Sequence, residues 1–196
     1  RQPGSTFKPF VFLSAFDQAL REGRTDLTPA TVLSDEPATF LVNGQEWSPR
    51  NYDGEHDGIV TARRALARSR NLATIQMAEL AGYHNIAALW RSVKPGFTAR
   101  AYPSIALGVF EATPLDMAEA YTLFPNLGEV RPLRAVSRIE IDGTSAPLPD
   151  VGRVRQVAQP APTFLVTNMM RSGPPTIIMP DSLAPVRSAS SSVCPG

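Results

Sequence analysis

Nineteen prolines spread over 196 residues limit how long any regular element can run. Proline lacks an amide hydrogen and its ring clashes with the preceding turn, so a helix tolerates it only in the first turn. Pro3-Gly4-Ser5 makes a turn that opens an apolar block from Thr6 to Leu20. Phe12, Phe16, Ala19 and Leu20 fall there at helical spacing, while Phe7, Phe10, Val11 and Leu13 make the first half apolar nearly all round. That pattern predicts a core helix starting near Ser5, with Pro9 in its first turn, where amide groups lack intrahelical acceptors. Residues 24–58 are broken by Pro29, Pro37 and Pro49 and read as loop with short strands, such as 38–42 before a turn at Asn43-Gly44. A helical pattern runs from Ile59 to Arg68, is interrupted by Ser69-Arg70-Asn71, and resumes from Leu72 to Ala81 with Gly82 as its stop. Further helices are expected over Asn85–Val93, after Thr113-Pro114-Leu115-Asp116 as far as Phe124, and over Ala161–Arg171. Alternation over Arg134–Ile141 predicts a strand. From Gly173 the chain turns Pro- and Ser-rich without a period, so 173–196 reads as an irregular tail.

Charge and residue usage exclude several chemistries. The 19 basic and 18 acidic residues leave a net charge of +1, without the dense cationic field of a nucleic-acid binder. No apolar run approaches the ~20 residues that span a bilayer. Cys194 is the sole cysteine and lies in the tail with nothing beside it in sequence to lower its pKa. His56 and His84 share no ligand spacing with it and read as surface or cap residues, so neither a metal nor a cofactor is expected. A Ser-His-Asp triad has no elbow motif behind it. Arg1 carries no signal-peptide pattern, and the chain reads as a piece of something longer.

Ser5 and Lys8 are the informative pair. Positions i and i+3 share a helix face, so hydroxyl and amine come one turn apart. A serine hydroxyl is a poor nucleophile until a base takes its proton. A lysine can do so only if its pKa falls from ~10.4 to near 7 or 8, which costs roughly 4 kcal/mol. Burial among Phe7 and Phe10, or a second cation, acts in that direction. The chain has 17 arginines and only two lysines, and arginine cannot deprotonate in a protein. A capping serine followed by a surface lysine is the competing reading of this pair. Ser69-Arg70-Asn71 by itself reads as an ordinary turn between helices; only with Ser5 and Lys8 does it read as a second hydroxyl that passes a proton on and a carboxamide that holds lysine and substrate amide.

Arg1 to Phe10, with its Ser-x-x-Lys, resembles the nucleophile segment of penicillin-binding proteins. Trp47-Ser48-Pro49-Arg50-Asn51-Tyr52-Asp53-Gly54, Ala65-Leu66-Ala67-Arg68-Ser69-Arg70-Asn71 and Ile105 to Ala118 follow in that family's order, the last block resembling the bifunctional class A members. The resemblance covers residues 1 to about 172 and implies a mixed α and β fold of the penicillin-binding and serine β-lactamase type. A helical subdomain would be largely present and the antiparallel sheet incomplete. By position it implies Ser5 as nucleophile, Lys8 as base, and Ser69 with Asn71 as relay and orienting pair. It further implies a D-Ala-D-Ala transpeptidase with peptidoglycan stem peptides as donor and acceptor and β-lactams as inhibitors. The resemblance implies a place on the extracytoplasmic face of the bacterial membrane, with contact to the membrane expected only through an N-terminal anchor outside residues 1–196.

The sequence departs from that pattern in one respect. No Lys-Thr-Gly or Lys-Ser-Gly occurs in it; Lys94-Pro95-Gly96 has a proline where the motif needs a hydroxyl and an N–H. The expectation is a partial transpeptidase domain over 1–172 with impaired activity, exposed sheet edges and unburied apolar helix faces. A serine β-lactamase-like hydrolase and a non-catalytic binding remnant are the competing readings.

Overall fold

The computed structural model describes residues 1–172 apart from Asn43, Thr98 and Pro149, so the expected tail 173–196 and Cys194 lie outside the described residues. A 3-10 turn, Gly4–Phe7, leads directly into α1, Lys8–Arg21, with Pro9 in its first turn as expected. Helix α1 is the centre of the molecule: Lys8 to Phe16 are all buried, and α3 (Asn71–Ala81), α4 (Tyr83–Val93) and α6 (Pro160–Met170) pack around it. A helix buried on all sides is what an all-round apolar sequence requires.

Aromatic rings close the N-terminal end of this core. Phe7, Phe10, Trp90, Phe110, Tyr121 and Phe124 meet with centroids 4.8–5.6 Å apart, mostly edge to face. Asp17, on the far part of α1, accepts from the Gln159 amide (2.8 Å) at the start of α6 and from Arg21 Nε (2.8 Å). The Gly4–Phe7 turn is wedged between this aromatic packing and the loop that precedes α5, Pro114–Tyr121, where the Gly4 amide donates to Gly108 O. That helix has the expected cap: the Thr113 hydroxyl accepts from the Asp116 amide while the Asp116 carboxylate accepts from the Thr113 amide. It stops at Tyr121, three residues short of expectation, where the chain turns through Thr122–Gly128.

Among the described residues the strands form four separate antiparallel pairs. They are β1 (Val32–Ser34) with β4 (Ile59–Thr61), β2 (Phe40–Val42) with β3 (Gln45–Trp47), β5 (Glu129–Val130) with β8 (Arg155–Gln156), and β6 (Ile139–Ile141) with β7 (Thr144–Ala146). Two expectations need correction here. Ile59–Thr61 is strand rather than helix: it pairs with β1, and the Thr61 hydroxyl then caps α2, Ala62–Ala67, by accepting from the Arg64 amide. Of the strand expected over Arg134–Ile141 only Ile139–Ile141 forms, because only those residues find a partner strand. Apolar side chains stand exposed on β1, β4 and α6, with Val32 at 62%, Ile59 at 70% and Phe164 at 59%. His56 and His84 are both on the surface.

Candidate active site

Helix α2 ends at Ala67 and α3 begins at Asn71, and the three residues between make a tight reversal. The Ser69 amide donates to Leu66 O (3.0 Å) and the Arg70 amide to Ala65 O (2.9 Å). These two bonds are a Schellman closure, which demands a left-handed residue one place past the cap. Glycine usually fills that place; here it is Ser69, at φ 56°. The reversal turns the Ser69 carbonyl and hydroxyl, and the first side chain of α3, toward the start of α1.

Lys8 meets them there. Its side chain is buried, with 1% of the residue exposed, which excludes the surface-lysine reading. Its Nζ donates to Asn71 Oδ1 (2.7 Å), to Ser69 Oγ (3.0 Å) and to the Ser69 carbonyl. Burial lowers its pKa from 10.5 to about 7; Asp35 works against that fall and Arg70 adds to it. Both influences named from sequence, desolvation and a second cation, are thus present.

Ser5 sits one turn before Lys8 in the 3-10 turn and accepts the Lys8 backbone N–H with its carbonyl. The residue is exposed, and its hydroxyl has no hydrogen-bond partner among the described residues. Hydroxyl and amine share a turn as expected but are not bonded to each other, because the Nζ donors are taken by Ser69 and Asn71. The turn itself is held from the other side. Gly4 N–H donates to Gly108 O (3.3 Å), Tyr121 Oη donates to Thr6 O (2.7 Å), and a Cβ on Gly108 would collide with the Gly4 backbone.

Three residues not singled out from sequence complete the arrangement. Asn51 Oδ1 accepts the Asn71 amide (2.7 Å), while Asn51 Nδ2 donates to Asp35 Oδ2 and to Glu55 O, both at 2.8 Å. Asp35 is fully buried and also accepts from the Asp57 amide (3.0 Å). Asn71 Nδ2 donates to Arg50 O (2.6 Å), so both ends of that carboxamide are fixed. Arg70 points away from Ser69 into carboxylates of Asp53 and Asp57. The sequence signal for this layer is the block from Trp47 to Gly54, but nothing in its spacing says which side chain turns inward. Lys94, in the Lys94-Pro95-Gly96 segment, is occupied elsewhere by Asp116 (3.0 Å) and Glu119 (2.8 Å).

Among the described residues there is no cluster of His, Cys, Asp and Glu that could hold a metal, and no helix long and apolar enough to cross a membrane.

The penicillin binding protein transpeptidase domain family matches residues 1–172. Penicillin-binding protein 1A of Neisseria meningitidis serogroup A is 39% identical over 134 residues, which is 65% of this chain and 16% of that relative. Penicillin-binding protein 1A of Aquifex aeolicus is 38% identical over 128 residues, again 65% of this chain and 17% of the relative. The chain therefore spans only about a sixth of the length of these curated relatives. The crystal structure of penicillin-binding protein 1A from Haemophilus influenzae superposes with a TM-score of 0.71 at 25% identity, over 85% of this chain and 29% of that one. Penicillin-binding protein A from M. tuberculosis, solved as an imipenem acyl-enzyme complex, shares the fold with a TM-score of 0.63 at 21% identity, over 87% of this chain and 43% of its own. The family match runs from the Gly4–Phe7 turn through α6 and takes in every element that surrounds Lys8, and on that ground the chain belongs to the penicillin-binding protein transpeptidase domain family.

Proposed function

We propose that residues 1–172 are the nucleophile half of a D-Ala-D-Ala transpeptidase site, with Ser5 as nucleophile, Lys8 as base, Ser69 as proton relay and Asn71 as the group that orients lysine and substrate amide. The observation that carries this reading is Lys8: a buried amine with a pKa near 7, gripped by Ser69 and Asn71, one turn from an exposed serine hydroxyl. In its neutral form Lys8 keeps two donations, to the Ser69 carbonyl and Asn71 Oδ1. Its lone pair then accepts from the Ser69 hydroxyl, which links it to whatever proton Ser69 receives.

In the proposed reaction Ser5 Oγ attacks the carbonyl carbon of the D-Ala-D-Ala amide and its proton passes to Lys8. The amide C–N bond breaks, and the leaving D-Ala nitrogen takes that proton back. The acyl group stays on Ser5 until the amine of a second stem peptide attacks it; the Ser5 C–O bond breaks, and a proton from that amine passes through Lys8 back to Ser5 Oγ. A β-lactam would follow the first half of this path, its ring amide opening on Ser5. The M. tuberculosis neighbour, named as an imipenem acyl-enzyme, and the class of the relatives support this course and an extracytoplasmic site of action. The sequence holds no Lys-Thr-Gly cation for the substrate carboxylate. Without that cation to hold the substrate carboxylate, slow acylation and no measurable cross-linking are expected of residues 1–172 alone.

The test is intact-mass analysis after long incubation with penicillin, beside Ser5→Ala. The expected result is a gain of one penicillin that disappears in Ser5→Ala. No gain in a folded sample overturns the reading.

A further inference from the structure

The central residue of Ser69-Arg70-Asn71 has a part in the site that its neighbours do not explain. Ser69 carries a Cβ in a left-handed conformation, and its hydroxyl has Lys8 Nζ as its one hydrogen-bond partner among the described residues. A Schellman closure is ordinarily secured by an apolar contact between the third-last helical residue and the residue after the left-handed one. Here those residues are Ala65, small and fully buried, and Arg70, so the apolar clasp is absent. The anchorage at Arg70 is ionic. Its Nε and Nη2 fork onto the two oxygens of Asp57 at 3.1 and 3.0 Å, and Nη1 spans both oxygens of Asp53 at 2.9 and 2.8 Å. Asp35 Oδ2 lies 3.6 Å from Nε, and the Arg70 side chain is only 7% exposed. The Arg70 carbonyl meanwhile accepts from the Thr74 hydroxyl (2.6 Å) and amide (3.2 Å) in the first turn of α3. Both ends of this residue are therefore fixed, and Ser69 hangs between it and α2.

We propose that Arg70 is a positioning residue: its guanidinium, locked onto Asp57 and Asp53, fixes the left-handed backbone at Ser69 from which the Ser69 carbonyl and hydroxyl reach Lys8. The inference rests on the function proposed above but is read by a separate signal. Arginine suits the task because its planar fork matches two carboxylates at fixed angles, which a lysine ammonium cannot do. Lysine at this place would keep the charge and lose the geometry. The charged groups around the cluster are Asp35 and Arg70, which act on Lys8, and Asp53, Asp57, Arg64 and Arg68, which pair with or beside Arg70.

Because the chain has two lysines, labelling with ¹³C- and ¹⁵N-lysine gives two side-chain signals, with Lys94 as an internal reference. The experiment follows the Lys8 Cε shift against pH, together with the penicillin acylation rate, in the native chain and in Arg70→Lys, whose added lysine contributes a third signal. Without the fork, Ser69 withdraws its two acceptors from the Lys8 ammonium. The Lys8 midpoint is then expected to fall, and the acylation plateau to drop about tenfold. A merely structural arginine would lower the melting temperature and leave the Lys8 midpoint in place. A folded Arg70→Lys with the native midpoint, and a plateau within twofold of native, overturns the proposal. Should the native chain take up no penicillin, the function reading fails by itself and the Lys8 midpoint alone decides this one. Should Arg70→Lys fail to fold, Asp53→Asn removes one arm of the lock at a half-exposed carboxylate; it is expected to move the midpoint the same way by less, and an unmoved midpoint overturns the proposal.

Discussion

Lys8 Nζ and Asn71 Oδ1 meet at 2.7 Å although 63 residues separate them in sequence. The contact joins the first turn of α1 to the first turn of α3, and it exists only when α1, the Schellman reversal and the Asn51 bridge are all in place. A buried amine in that position has consequences for stability as well as for chemistry.

The first consequence is a pH dependence of folding. The Lys8 pKa is about 7 in the folded chain against 10.5 for a free lysine, so between those limits the unfolded chain binds the extra proton. Stability should then rise with pH across that window, by at most about 1.4 kcal/mol per pH unit from this group, and the penalty is fully present below pH ~7. Denaturant titrations from pH 6 to 9 on the native chain and on Lys8→Met check it: the slope should be present in the first and missing in the second. Equal slopes would mean that Lys8 titrates normally.

Asp35 opposes Arg70 in its effect on Lys8. Asp35→Asn removes the negative charge that favours the ammonium, so the acid limb of acylation is expected to move to lower pH. The same change weakens charged acceptance from Asn51 and Asp57 at a fully buried site and should cost about 2 kcal/mol of stability. A pH–rate profile and a urea melt read the two effects separately. An acid limb moved to higher pH would contradict the assigned direction.

Gly108 stands at φ 68°, and a Cβ there would run into the backbone of Gly4, next to Ser5. Gly108→Ala is expected to lower stability by about 1–3 kcal/mol, from the left-handed backbone and from overpacking. It should also slow penicillin uptake, since the part that must yield is the turn that carries Ser5. Unchanged melting and uptake would show that the turn has room to move.

Lys94 belongs to a salt bridge and not to the site. Lys94→Gln removes its pairs with Asp116 and Glu119, and because all three side chains are partly exposed the loss should be about 1 kcal/mol or less. Acylation should stay within twofold of native. A tenfold fall would place this lysine in substrate recognition after all.

The parts of the molecule that could be read from sequence are those governed by neighbours in the chain. The periodicity of Phe12, Phe16 and Ala19, the stop at Gly82 and the Thr113–Asp116 cap each depend on residues a few places apart, and each element stands where that chemistry puts it. Ile59–Thr61 misled because a three-residue strand running straight into a helix has the apolar spacing of a longer helix. The alternation from Ala135 to Ile141 needed a partner strand along its whole length and has one only from Ile139. Of the proposed site residues, Ser5 and Lys8 stand out in sequence by spacing and residue type, while Ser69 and Asn71 join them only through the family resemblance; the structure brings Lys8, Ser69 and Asn71 together. Asp35, Asn51 and Arg70 could not be picked out, since an inward aspartate and an outward one look alike until the loop that carries them has a path.

The separate strand pairs give the molecule two levels of permanence. Among the described residues the β6–β7 hairpin, Ile139–Ala146, pairs only with itself and leaves Ile141 61% exposed, so its backbone bonds can open without disturbing a helix. The bonds of α1 lie under the aromatic cluster and three packed helices, and they can break only when the whole body comes apart. Insertions or fused tags in the hairpin should thus be carried silently, whereas Lys8, at the head of α1, shares the lifetime of the most durable part of the chain.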